Sequence, residues 1–468
     1  MAGNALVNIF RTHELRQRVF FTIVMLFIFR LGATIPLPGI DFIRLQEEIQ
    51  RPMSGSDVNI IDYLDLFVGG AFRNFSIFML GIMPYITSSI IFQLLVVIIP
   101  RLKKIQEEEG GRKKIQRYMR YGTVVLCLVQ GYFFIQNQII PKNIYNMGQV
   151  EFVIIAMLSI TAGSVFLMWL GEQINQRGIG NGTSLIIFAG IVVRIPDIFL
   201  QMGIFRSFLN FIETILVFLG LIPRHGVLVP LNTRATETMS PIFVLIAIVM
   251  FTVVVALIVY EQRGQRKIPV HYAKRVIGRK IYGSQNTYLP FKLNPSGVIP
   301  IIFANALMIA PIQLFSSLGQ NSEFFRSLAR FLNPSGGWYL LIYSLLIVFF
   351  AYFYTQVSLN PQEISKQIRE NGGSIPGIRS EKMEQYLTRI LTRIILPGSL
   401  FLAFIAIIPN VVTNLFGFPY SVSRILGGTS LIILVGVGLD TMSQVESYLR
   451  MHHQDGLVKK GKIKARNL

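Results

Sequence analysis

The sequence predicts an all-α polytopic membrane protein, and three observations carry that reading. Of the 468 residues 52% are hydrophobic and only 15% charged, below the roughly 25% of a soluble domain, and mean hydropathy is +0.53. Ten apolar runs approach the length of a bilayer span, about 20 residues at about 1.5 Å rise each. The 44 basic residues, set against 24 acidic ones, are divided very unevenly among the loops.

The runs lie at about 19–36, 76–99, 121–140, 152–170, 183–203, 241–260, 297–317, 338–358, 391–411 and 423–441. The last is the most dilute, because Gly427, Gly428, Gly436 and Gly438 interrupt it. With the N-terminus placed in the cytoplasm, the cytoplasmic segments hold 32 of the 44 basic residues and the opposite side nine. The other three, Arg30, Arg194 and Arg424, fall within spans or at their ends. That bias fixes the orientation. Gly203 to Pro223 is also apolar, but Arg206, Asn210 and Glu213 break it, and a crossing there would turn the basic 263–292 loop outward. Residues 204–240 are therefore expected outside, with an amphipathic stretch on the membrane surface or against the bundle. The spans divide five and five around that segment, into halves 1–203 and 241–441 followed by a basic cytoplasmic tail, 442–468. The count raises an inverted pseudo-repeat around a central pore. Residues 1–18 are polar and basic with no small-residue cleavage pattern behind them, so the first run reads as a retained span.

Residues 58–99 contain an anomaly. A short apolar segment, with Ile60, Ile61, Asp62, Tyr63, Leu64, Asp65, Leu66, Phe67 and Val68, breaks at Gly69-Gly70 before the long run from Ser76. It is too short to span and carries two carboxylates. Backbone at membrane depth that does not cross must be covered by protein or line a wet cavity, which points to a pore or transport pathway. In the long run, helical spacing sets Ile82, Ile86, Ser89 and Gln93 on one face, a mixed stripe that suits either a pathway or hydrogen bonding to a neighbouring helix.

Other segments exclude chemistry. Gly171 to Thr183 reads as a glycine-rich turn between helices; no P-loop Lys-Ser/Thr follows and no strand precedes it. The five histidines lie in loops or tails without an HExxH pattern, and the lone Cys127 forms no intramolecular disulfide or metal cluster, so no catalytic centre, metal or cofactor is expected. Acidic residues at mid-span, as coupled transporters use, are missing, which favours a passive conduit over a secondary transporter. Two cytoplasmic loops, 261–294 and 359–390, are long and basic. The first mixes Tyr272, Val276, Ile277 and Tyr282 among its charges. Anionic lipid headgroups would attract both; the aromatic content also suits RNA or an acidic protein surface.

Five segments carry a resemblance: GGAFRNFSIFMLGIMPYITSSIIFQLL, GEQINQRGIGNGTSLIIFAGI, EQRGQRKIPVHYAKRVIGRK, LNPSGVIPIIFA and GGTSLIILVGVGLD. In this order, from about Thr12 to Asp440, the chain resembles the bacterial SecY family, the central channel subunit of protein translocation. The resemblance implies a non-enzymatic channel in the bacterial cytoplasmic membrane that passes unfolded secretory polypeptides and releases hydrophobic segments sideways. Residues 60–74 would be a plug, with Ile61, Asp62, Leu64, Asp65, Leu66, Phe67, Gly69, Gly70 and Arg73, whose aspartates suit a segment that must leave for water. Ile82, Ile86, Ile187, Ile191, Ile302 and Ile433 would form a dewetted pore ring, soft enough to yield to a peptide. Spans two and three against seven and eight would be a lateral gate, with Thr87, Gln93, Gln130 and Asn305 as its polar contacts. Lys274, Arg275, Arg279, Lys280 and Arg379 would dock the ribosome and the SecA ATPase. SecE and SecG would be companion subunits, and signal sequences and nascent chains the cargo.

Overall fold

The computed structural model describes residues 12–41, 43–45, 65, 67–72, 74–201, 241–272, 275–277, 280–282, 286–319, 322–333, 336–416 and 429–459. The external segment 204–240 lies outside these, as do Ile61, Asp62, Leu64, Leu66, Arg73, Lys274 and Arg279. Helices dominate, as the composition requires. Among the described residues, five helical stretches are long and apolar enough to cross a bilayer, and one bent pair would make a sixth. The chain divides into two compact units, residues 1–194 with 437–468, and residues 195–436.

In the first unit, α1 (His13–Gly32) exposes Phe20, Ile23, Phe27 and Leu31, a three-and-four-residue spacing that makes one apolar stripe. The run expected as a single span from 76 is divided. Ser76 to Ile82 form successive turns, with Gly81 at φ +59°, and the helix α2 begins only at Met83 and ends at Ile98. Pro100 then opens α3 (Pro100–Glu107), which leaves α2 at 101°, because proline cannot continue the α2 hydrogen-bond ladder. The third helix starts earlier than its apolar run: α4 spans Gly111–Phe134 and continues through a π-turn, Ile135–Ile139. The fourth, in turn, ends later. α5 (Gln149–Arg177) remains helical through most of the glycine-rich segment expected as a turn, and the chain reverses only over 178–181, where Gly180 has φ +87°.

That extension has a physical cause. Glu172, buried, receives both Nε and Nη2 of Arg120 at 3.0 and 2.7 Å, with Gln116 Nε2 at 3.2 Å, so the last turns of α5 are fastened to α4. α6 (Gly182–Gln201) then starts with the Gly182 N–H donating to Asn175 Oδ1, 2.8 Å.

In the second unit α7 (Pro241–Arg263) leads into β1 (Gln265–Tyr272), a short hairpin β2 (Arg275–Ile277) and β3 (Lys280–Tyr282), and β4 (Asn286–Lys292). α8 (Ile299–Leu318), α9 (Glu323–Phe331) and α10 (Gly337–Ser358) follow. Next come α11 (Pro361–Glu370), β5 (Gly373–Ser374) and α12 (Met383–Phe416). The final helix, α13 (Thr429–Lys459), runs well beyond the apolar stretch expected to end at 441 and into the basic tail. Its later turns pack in the first unit, where Val445 joins Leu15 and Ile179 in one cluster and Gln444 Oε1 accepts the Gly180 N–H at 2.9 Å.

Candidate functional site

The described part of the segment that could not span begins at Asp65 and lies within the first unit. From Asp65 to Phe75 almost every described residue is buried, and the Gly69-Gly70 break is a reversal in which both glycines take left-handed φ, +66° and +95°. Gly69 also lies against Gly190 of α6: a Cβ on Gly69 would stand 2.9 Å from the Gly190 Cα, and one on Gly190 would stand 2.6 Å from the Phe67 carbonyl oxygen. Two backbones meet there with no side chains between them. Phe72 packs edge-on against Phe134 at 4.4 Å, and Val68 lies against the Gly81 turn.

Two arginines secure this contact. Arg194 of α6 forms an ion pair with the Asp65 carboxylate, the side chains being 19% and 3% exposed. Asp65 Oδ1 also accepts the Phe72 N–H at 3.1 Å, so the same carboxylate closes the reversal internally. On the other side Arg30 Nη1 of α1 donates to the Gly69 carbonyl at 2.6 Å. A charge taken out of water needs a partner and satisfied lone pairs, and Asp65 has both. Asp65, expected as a residue suited to water, is in this state a buried, paired one. In the sequence Arg30 and Arg194 appear only as charges within the spans 19–36 and 183–203; a cation at membrane depth is a candidate functional residue, and that signal could have found them.

Ile82, Ile86, Ile187 and Ile191 of the first unit are all buried, as are Ile302 and Ile433 of the second. Ile82 stands near Gly171 of α5, where a Cβ would meet its Cδ1 at 3.4 Å. The four polar residues expected at the gate behave differently from one another. Thr87 Oγ1 donates to Met83 O at 3.0 Å and Gln93 Nε2 to Ser89 Oγ at 3.1 Å, both within α2. Gln130 is half-buried on α4. Asn305, fully buried on α8, adjoins the Tyr343 hydroxyl of α10.

The two long basic loops share one sheet. β1 is its centre, pairing antiparallel with β4 along its length (Gln265 opposite Lys292) and with β5 through His271 opposite Ser374 and Tyr272 opposite Gly373. Because β1 follows α7 and β5 follows α10 and α11, this pairing puts both loops at one end of the unit. Alternation along β1 turns Ile268 and Val270 inward, where with Phe291, Ile368, Met383 and Leu387 they form a core; Tyr272 packs against it. Tyr272, one of the aromatics set among the charges of this loop, is thus partly buried by packing. In the second loop Ile375 and Ile378 seat a turn with Gly377 at φ +77°, closed by the Ile378 N–H to Ile375 O at 3.1 Å. Arg379 comes next and is exposed.

The first unit thus buries the described part of the short segment against its helices, and the second carries a sheet rich in basic residues at one end of its helices. Comparison with known proteins makes this specific. The SecY family matches residues 76–442. The chain is 43% identical to the protein translocase subunit SecY of Borreliella burgdorferi, covering 95% of each chain, and 39% identical to that of Thermotoga maritima, covering 99% of each. It shares its fold with a solved protein-conducting channel (TM-score 0.61, 18% identity, 96% of this chain and 95% of that one). Sec61 in a canine ribosome–channel complex has the same fold (TM-score 0.59, 18% identity, the same coverage). The chain belongs to the SecY family, protein-conducting channels of the translocase and not enzymes.

Proposed function

We propose that residues 60–74 form a plug that seals a polypeptide pathway and that the Asp65–Arg194 pair, with Arg30 on Gly69 O, holds it shut. The bound state of Asp65 to Phe75 is the observation that carries this reading. The six isoleucines would form the ring around the pathway, branched apolar side chains that exclude water and ions yet give way to a peptide. The α2–α4 and α8–α10 pairs would part as the lateral gate. The sheet and Arg379 would face the cytoplasm of a bacterial inner membrane, with both termini on that side. There Arg275, Lys280 and Arg379 would meet ribosomal RNA or the acidic surface of SecA, and arginine suits the bidentate contact that phosphate and carboxylate both offer. The ribosome-bound Sec61 of similar fold supports the first of these partners. SecE and SecG would complete the complex, and anionic lipid would border the basic loops.

Deleting residues 60–74 tests the closure. The reconstituted complex should conduct ions at rest, while membrane insertion and protein levels stay normal. A complex that remains tight would refute the assignment.

A further inference from the structure

α9 is a nine-residue helix with a divided surface. Helical spacing groups Phe324, Phe325, Leu328 and Phe331 on one side and Glu323, Arg326, Ser327 and Arg330 on the other. The apolar side is only partly covered by protein. Phe325 stacks on Phe315 of α8 at 6.1 Å, whereas Phe324 and Phe331 are 69% and 41% exposed. Arg326 Nε donates to the Gly319 carbonyl at 3.2 Å, fastening the helix to the end of α8 and leaving Arg330 as the exposed cation of its last turn.

What covers the exposed aromatics follows from their continuity with α10. Phe331 stacks on Trp338 at 5.4 Å, and Trp338 opens a line of exposed apolar residues, Leu341, Leu345 and Phe349, at spacings of three and four. On a membrane-crossing helix such a stripe faces acyl chains, and tryptophan collects where those chains meet the headgroups. Phe331 and Phe324 carry the stripe around the corner of the span. The position agrees: α8 arrives from β4 and α10 departs toward β5, so α9 lies at the end of these helices remote from the sheet.

We propose that α9 is an interfacial anchor at the bilayer surface opposite the basic sheet. Phe324, Phe331 and Trp338 lie among the acyl chains, and Arg330 engages the phosphate of an anionic phospholipid. The geometry of a short amphipathic helix fastened to two spans fits a surface-lying element.

The chain has two tryptophans, Trp169 and Trp338, so a Trp169→Phe, Trp338→Phe full-length background accepts a single reporter. Phe324→Trp and Ser327→Trp are introduced separately, and the complex is reconstituted into phosphatidylcholine vesicles containing some phosphatidylglycerol. Lipids brominated near the headgroup should quench the indole at position 324 and not the one at position 327, while aqueous acrylamide should do the reverse. Brominated phosphatidylglycerol should quench the position-324 reporter more than brominated phosphatidylcholine at equal mole fraction, by up to about fivefold in local enrichment, and Arg330→Gln should remove that preference. Equal lipid quenching of the two reporters, or a position-324 reporter shielded from both quenchers by protein, would overturn the anchor. Indifference to phosphatidylglycerol with Arg330 intact would overturn the anionic recognition.

Discussion

Replacing Asp65 with Asn should release the proposed closure. The substitution keeps the shape and an oxygen for the Phe72 N–H, and it deletes only the charge that faces Arg194. Removing one partner of a buried pair costs about 3–5 kcal/mol, because the other charge is left uncompensated. Arg194 retains 19% exposure and can recover some hydration, which puts the loss at the lower end, about 3 kcal/mol. If that loss falls on the closed state, the ratio of open to closed channels rises about a hundredfold. The assay is resting ion conductance of the reconstituted complex in planar bilayers, read beside protein level and insertion. Arg194→Gln should leak similarly, and the double variant should leak about as much as either single, since the two residues act as one unit. A tight Asp65→Asn channel, or singles whose effects simply add, would refute the latch.

Gly190→Ala sets a methyl carbon 2.6 Å from Phe67 O, a backbone atom that cannot give way cheaply, so it should raise resting conductance although alanine itself favours the α6 helix by about 1 kcal/mol. Arg120→Ala leaves the Glu172 carboxylate, 7% exposed, without its cation; melting of the purified protein should show a loss of about 3 kcal/mol, partly restored by adding Glu172→Gln. Arg379→Glu should impair motor-driven export severely while expression and melting stay near wild type, because the side chain is exposed and its turn is held by Ile375 and Ile378.

Which features could be read from the sequence depended on whether they are local. Apolar length is a local sum, so the helical, membrane-spanning class was legible from it. The failures occur where a distant contact overrides a local cue. Glycines at 171, 178, 180 and 182 read as a turn, yet Glu172 pairs with Arg120, 52 positions away, and keeps the helix going to Arg177. Ile268 and Val270 alternate with polar residues, a strand signal, but β5 is two residues long and carries none. Nothing in either loop alone shows that the two share a sheet. Of the proposed closure, the double glycine and the short apolar run were legible. Its fastenings were not, because Asp65 and Arg194 are 129 positions apart and only the folded chain brings them together.

The chemistry of that fastening bears on how a seal can be both tight and releasable. A pair as buried as Asp65 and Arg194 resists separation while its surroundings are dry, since each charge alone would meet low-dielectric protein. Exposed pairs, by contrast, are worth only about 0–1 kcal/mol, because water solvates both ends. The contact beside the pair is of the same kind: Gly69 and Gly190 touch backbone to backbone, with no side chains to disengage. Within the proposed closure, a polypeptide that widens the pathway and admits water would weaken the latch at the moment of opening, whereas thermal fluctuation of a dry channel would not. Hydration then becomes the variable that couples occupancy to release. An apolar pair of equal volume at 65 and 194 should hold the segment without that dependence and so seal a channel that opens poorly even with substrate bound.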